Sequence, residues 1–88
     1  MPRDPLAPVV KAVDDLASAK AAIGRAQHDA RALVEAARQR ERDARAVLHA
    51  RIVEATRAGV RQVDIVRTTG LTREAVRRIA RAGGVEPD

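Results

Sequence analysis

Residues 62–81 read QVDIVRTTGLTREAVRRIAR, and the punctuation of this stretch decides how the chain is organised. Residues 61–69 read as a short helix with Val63, Ile65 and Val66 as its apolar positions, and Gly70-Leu71 as the turn after it. Gly70 can take positive φ without a Cβ clash, so the chain can reverse there. Thr72 is a good N-cap, because its hydroxyl can accept from an otherwise unpaired N–H of the next turn. The spacing then predicts a helix from Arg73 to Ala82. Val76, Ile79 and Ala80 fall on one face, and Arg77, Arg78 and Arg81 on others. Gly83-Gly84 supplies the stop. Leu71 is expected to plug the corner. Ile65, Val76 and Ile79 are expected to close a small core against Ile52 and Val53 of the preceding stretch.

Upstream the composition changes. Between Val9 and Thr56 there is no proline and one glycine, Gly24, and the good helix formers Ala, Arg, Leu, Glu and Gln dominate. β-Branched residues never alternate with polar ones for long, so strand signals are missing. Arg31–Glu35 and Glu41–Arg45 are spaced to pair along one helix surface, each pair adding about 0.2–0.5 kcal/mol. One helix from about residue 8 to about 57 is the simplest reading, roughly 70 Å long at 1.5 Å per residue. Such a helix must find a partner for any apolar stripe. The stripe exists: Leu16, Ile23, Ala30, Ala37 and Ala44 recur every seven residues, with Val13, Val34 and Leu48 on the companion heptad position. Lys20, Gln27 and Glu41 also fall on that companion position. Eight of these eleven positions are apolar, where the 45% apolar content of the chain would give about five, so the pattern is a modest coiled-coil signal. Gly24 costs about 1 kcal/mol in a helix interior and leaves a second possibility, a fold-back hairpin broken there. Asp14-Asp15 reads as a carboxylate pair favourable to the dipole at a helix N-terminus.

The whole chain has 88 residues, which allows one small domain or a tiny domain with an appendage. It has no Cys, so disulfides and thiolate metal sites are excluded, and no Phe, Tyr or Trp. A core without aromatics favours thin helix-on-helix packing and argues against modules that stack bases on aromatic rings. The formal net charge is +5, which suits a polyanionic partner. Its distribution matters more. From Arg57 to Ala82 there are seven Arg against Asp64 and Glu74, a local balance of +5. The remaining residues carry ten Lys and Arg against ten Asp and Glu. The entire net charge therefore sits on residues 57–82, which contain the stretch quoted above, the footprint expected of a nucleic-acid reader.

Residues 62–81, with Ala50–Val60 as a supporting first helix, resemble the helix-turn-helix DNA-binding unit of phage repressors, resolvases and sigma-factor-like domains. Ile65, Gly70, Leu71, Val76 and Ile79 occupy the apolar and turn positions of that pattern. Val66 stands where the family usually carries a small residue. The resemblance implies that the second helix lies in the major groove with its N-terminal residues at base edges. Carried over residue by residue, Thr72, Arg73, Glu74 and Arg77 are candidates for base contact, with Arg78 between base and backbone. Arg can be bidentate to guanine, and Glu can accept from cytosine N4. Arg61, Gln62, Arg67 and Arg81 are candidates for phosphates.

The expectation is thus an all-α protein: a long N-terminal helix, a possible coiled coil, followed by a three-helix helix-turn-helix domain. Residues 1–8 read as an N-terminal tail, 9–46 as a dimerisation arm, 47–84 as the DNA-binding domain and 85–88 as a C-terminal tail. The expected partners are duplex DNA and a second copy of the chain, paired through Val13, Leu16, Ile23, Ala30, Val34, Ala37, Ala44 and Leu48. The role expected is that of a small bacterial transcriptional regulator or a plasmid or phage accessory protein. Two rivals remain, a nucleoid-type binder with little sequence preference and a helical interaction module that does not bind DNA. No cofactor, small-molecule ligand or enzymatic chemistry is indicated. His28 and His49 are 21 residues apart with no ligand cluster, so no metal site is expected. There is no apolar run of membrane-spanning length and no secretory-type segment, so a cytoplasmic, nucleoid-associated protein is expected.

Overall fold

The structure, a computed structural model, describes Asp4–Pro87. It contains three helices, α1 (Ala7–Arg57), α2 (Gln62–Thr69) and α3 (Arg73–Ala82), and no strand among the described residues. The residues fall into two units, the first ending at Arg38 and the second beginning at Gln39.

The first unit is helical from Ala7 onward, so part of the stretch read as an N-terminal tail is ordered helix; residues 1–3 lie outside the described residues. Asp4 starts it. Its Oδ1 accepts from the Leu6 N–H at 2.9 Å and its carbonyl accepts from the Ala7 N–H at 3.2 Å. Pro8 sits in the first turn, where a helix makes no use of its missing N–H. The start at Ala7 corrects the reading of Asp14-Asp15. They lie well past the first turn, and Asp15 accepts from Lys11 Nζ at 2.9 Å instead. Gly24 does not break the helix. Within this unit Val13, Leu16, Ile23, Ala30, Val34 and Ala37 are all exposed.

The second unit contains the core. Ile52 from the last turns of α1, Ile65 from α2 and Val76 and Ile79 from α3 are buried against one another. Val53, Ala55, Val66 and Leu71 are partly buried around them, and Ala80 is fully buried. Leu71 does sit at the corner between α2 and α3, and Val66 is accommodated at the edge of the core. Ala44 and Leu48, the last two positions of the heptad stripe, are exposed. Each helix ends where a glycine reverses the chain. At Gly70, φ is 74° and the N–H bonds back to the Val66 carbonyl, a left-handed cap that a Cβ would strain. After α3 the Gly84 N–H reaches the Arg81 carbonyl and the Val85 N–H reaches the Ala80 carbonyl at 3.0 Å. These two bonds form the Schellman arrangement and tie down the beginning of the segment read as a C-terminal tail.

No helix among the described residues is long and apolar enough to cross a membrane.

Candidate nucleic-acid interface

α2 has 8 residues and α3 has 10, and three residues, Gly70, Leu71 and Thr72, join them. Three features hold this corner. Thr69 Oγ1 donates to the Ile65 carbonyl at 2.7 Å and accepts from the Leu71 N–H at 3.2 Å. Thr72 Oγ1 accepts from the Ala75 N–H at 3.1 Å, so this residue, a candidate for base contact, has its oxygen engaged as the N-cap of α3. Gln62 is the third. Its side chain is buried, and Nε2 donates to the Arg73 carbonyl at 2.8 Å. Gln62, expected to hold a phosphate, thus has this donor engaged inside the fold. Burial and the bond across the turn turn it inward, and it ties the first residue of α2 to the first residue of α3.

α3 divides cleanly around its circumference. At 100° per residue, Arg73, Arg77 and Arg81 step round by about 40° each, with Glu74 and Arg78 completing one exposed arc. Val76, Ile79 and Ala80 occupy the opposite, buried side. Burying those three fixes which way the arginines face.

The seven arginines between Arg57 and Ala82 separate into two groups. Three are engaged within the chain. Arg57 Nη2 donates to the Gly83 carbonyl at 3.3 Å, closing the end of α3. Arg67 lies 3.9 Å from Asp64, a long and exposed pair. Arg81, expected on a phosphate, donates from Nε and Nη2 to Glu86 Oε1 at 3.0 and 2.8 Å. That hydrogen bond, more than the attraction of Arg81 and Arg77, holds the Glu86 carboxyl below the usual carboxylate range. The same hydrogen bond raises the Arg81 guanidinium. Glu86 thus belongs to the site, although the sequence signal placed it in a tail. Asp88, the last residue of that tail, lies outside the described residues.

The other four, Arg61, Arg73, Arg77 and Arg78, are exposed and make no ion pair or side-chain hydrogen bond among the described residues. The spacing of Glu74 and Arg78 permits a pair, but none forms. Of the histidines, His28 is exposed and His49 is half-buried. No group of three or more potential metal ligands occurs among the described residues.

Comparison with known protein families, with curated proteins and with solved structures finds no match to this chain.

Proposed function

We propose that this protein binds duplex DNA sequence-specifically, with α2 and α3 acting as a helix-turn-helix, and that it does so as a homodimer joined through α1. The observation that carries this reading is the group of four unpaired, exposed arginines on a segment that holds all of the chain's net charge. An unpaired guanidinium on a packed helix is ready for a phosphate or a guanine edge without first breaking an internal contact. α3 enters the major groove by its N-terminal turn. Arg73 and Arg77 read base edges, Glu74 accepts from a cytosine N4, and Arg78 lies between base and backbone. Arg61 and Arg67 hold phosphates and set the register. The exposed apolar stripe on α1 supports self-association. In the cell this activity fits a small transcriptional regulator or a plasmid or phage accessory protein.

The experiment is selection of bound sequences from a random duplex pool, followed by a salt titration of the winning site. Enrichment of a short motif, with affinity falling by about 0.9 log units per log unit of salt for each neutralised phosphate, is the expected result. Salt-dependent binding without enrichment would replace the site-specific reading by a nucleoid-type one. Absence of binding at low salt would remove DNA as the partner.

A further inference from the structure

The seam on the first unit has no cover within that unit. Val13 and Ile23 are each 60% exposed, and Leu16 and Val34 about half. In heptad terms Val13, Lys20, Gln27, Val34 and Glu41 take the a positions, and Leu16, Ile23, Ala30, Ala37 and Ala44 take d. The flanking e and g positions divide by size along the helix. Upstream they are Ala12, Ala17, Ala19, Gly24 and Ala26, all small. Downstream they are Arg31, Leu33, Arg38, Arg40 and Arg45, all large and four of them cationic.

This asymmetry decides the direction in which a second copy can lie. A parallel copy sets like against like. Lys20 meets the partner's Lys20, Glu41 meets the partner's Glu41, and Arg40 lies beside the partner's Arg45. The small upstream flanks then face one another across a gap. We propose that two copies pair antiparallel through α1, with the two-fold axis close to Gly24. In that alignment Leu16 faces the partner's Val34, and Val13 faces the partner's Ala37. Arg31 lies along the partner's Ala17, and Leu33 covers the partner's Ala19, so these two large flanks each meet a small one. Lys20 faces the partner's Ala30, over which its alkyl stem can pass to carry the ammonium to water. Gly24 approaches the partner's Gly24, where the absence of Cβ lets the helices come close. A Cβ built on Gly24 meets nothing within 4 Å in the single chain, so the space there is open. Sliding the copies by one heptad would press Glu41 against the partner's Leu16, which desolvates a carboxylate on an apolar side chain. The alignment centred on Gly24 leaves Glu41 near the end of the pair instead.

This inference rests on the homodimer part of the proposed function and is independent of DNA binding. The chain has no cysteine, so single cysteines report pairing directly. The variants Leu16→Cys, Ile23→Cys and Val34→Cys are oxidised alone and in pairwise mixtures, with circular dichroism confirming helix in each. In the proposed alignment two copies of Val34 lie about 27 Å apart along the axis, at 1.5 Å per residue. The expected result is a disulfide-linked dimer from the Leu16→Cys and Val34→Cys mixture and none from either variant alone. A dimer from either variant alone means parallel pairing and overturns the proposal. Cross-linking of Val34→Cys with Ile23→Cys in place of Leu16→Cys overturns the alignment centred on Gly24. A light-scattering mass of 9.5 kDa for the unmodified protein overturns pairing altogether, while the selection from random duplexes decides DNA binding separately.

Discussion

Gln62 Nε2 donates to the carbonyl oxygen of Arg73 across 2.8 Å, from a side chain buried beneath the corner of α2 and α3. A buried amide here does what a longer loop could not. It fixes where α3 begins relative to α2, and so where Arg73 and Arg77 are presented. Replacing Gln62 by Ala should destabilise the fold by about 1 kcal/mol, the usual worth of one such bond. Gln62→Glu should cost more at neutral pH, because a carboxylate would face a carbonyl with no donor between them. Urea unfolding of the two variants beside the parent protein checks both values. Equal stability of all three would show that the bond does not hold the corner.

Gly83 presents a different constraint. Its φ of −88° suits any residue, but a Cβ there would overlap both methyl carbons of Val53. Gly83→Ala should therefore lose about 1–3 kcal/mol through overpacking rather than backbone strain. Val53→Ala makes the room, so the double variant should be less destabilised than the sum of the two single changes. Strict additivity in denaturant unfolding would place the cost elsewhere.

Glu86 occupies Arg81 at neutral pH. Because the carboxyl is held below its usual range, the pairing is fully favoured above the ordinary carboxylate value. It is lost only as the pH falls through the lowered one. A phosphate must displace Glu86 to reach Arg81. Glu86→Gln should raise duplex affinity severalfold and steepen the salt dependence by up to about 0.9 log units, one phosphate's worth. Arg81→Ala combined with Glu86→Gln should cancel the gain. The measurement is fluorescence anisotropy on a labelled duplex over a range of salt.

Base reading and phosphate holding predict different penalties. Arg73→Ala and Arg77→Ala should weaken the best site by about 1–3 kcal/mol and random DNA far less, since each removes a guanine contact. Arg61→Ala and Arg67→Ala should weaken both alike and flatten the salt slope by about one unit. Glu74→Ala should relax the preference at one base pair. Matched and single-mismatch duplexes separate these cases. Equal losses on matched and random DNA for Arg73→Ala and Arg77→Ala would mean that α3 does not read bases.

The local features of the chain were legible from residue order. Thr72 as a cap, Gly70 as a reversal and the bounds of α3 depend on neighbours within a few positions, and they stand as the spacing implies. The burial of Ile52, Ile65, Val76 and Ile79 followed from apolar spacing and is found. What residue order concealed was tertiary. Gln62 looks like any polar side chain at a helix start. Only the approach of Arg73, eleven residues on, makes it a buried donor. Arg57 counts as surface charge until Gly83, twenty-six residues on, comes within 3.3 Å. Glu86 was hidden because a short segment after two glycines reads as a tail, whereas the Schellman bonds turn it back over Arg81. Asp14-Asp15 misled because a carboxylate pair was read by type alone, whereas a helix starting at Ala7 carries both beyond the first turn, where the dipole no longer favours them.

Ile52 is the one buried residue of α1, which runs from Ala7 to Arg57. The helix is moored at one end, and amide exchange should register the mooring as a gradient. Amides near Ile52 can open only when the small core comes apart, whereas those around Gly24 in a lone chain can open by local fraying. Joining two chains would slow exchange around Gly24 and leave the rate near Ile52 almost unchanged. The profile of protection along this single helix, followed as the protein is diluted, would therefore record the lifetime of the assembly from the middle of the chain, without any label and without DNA.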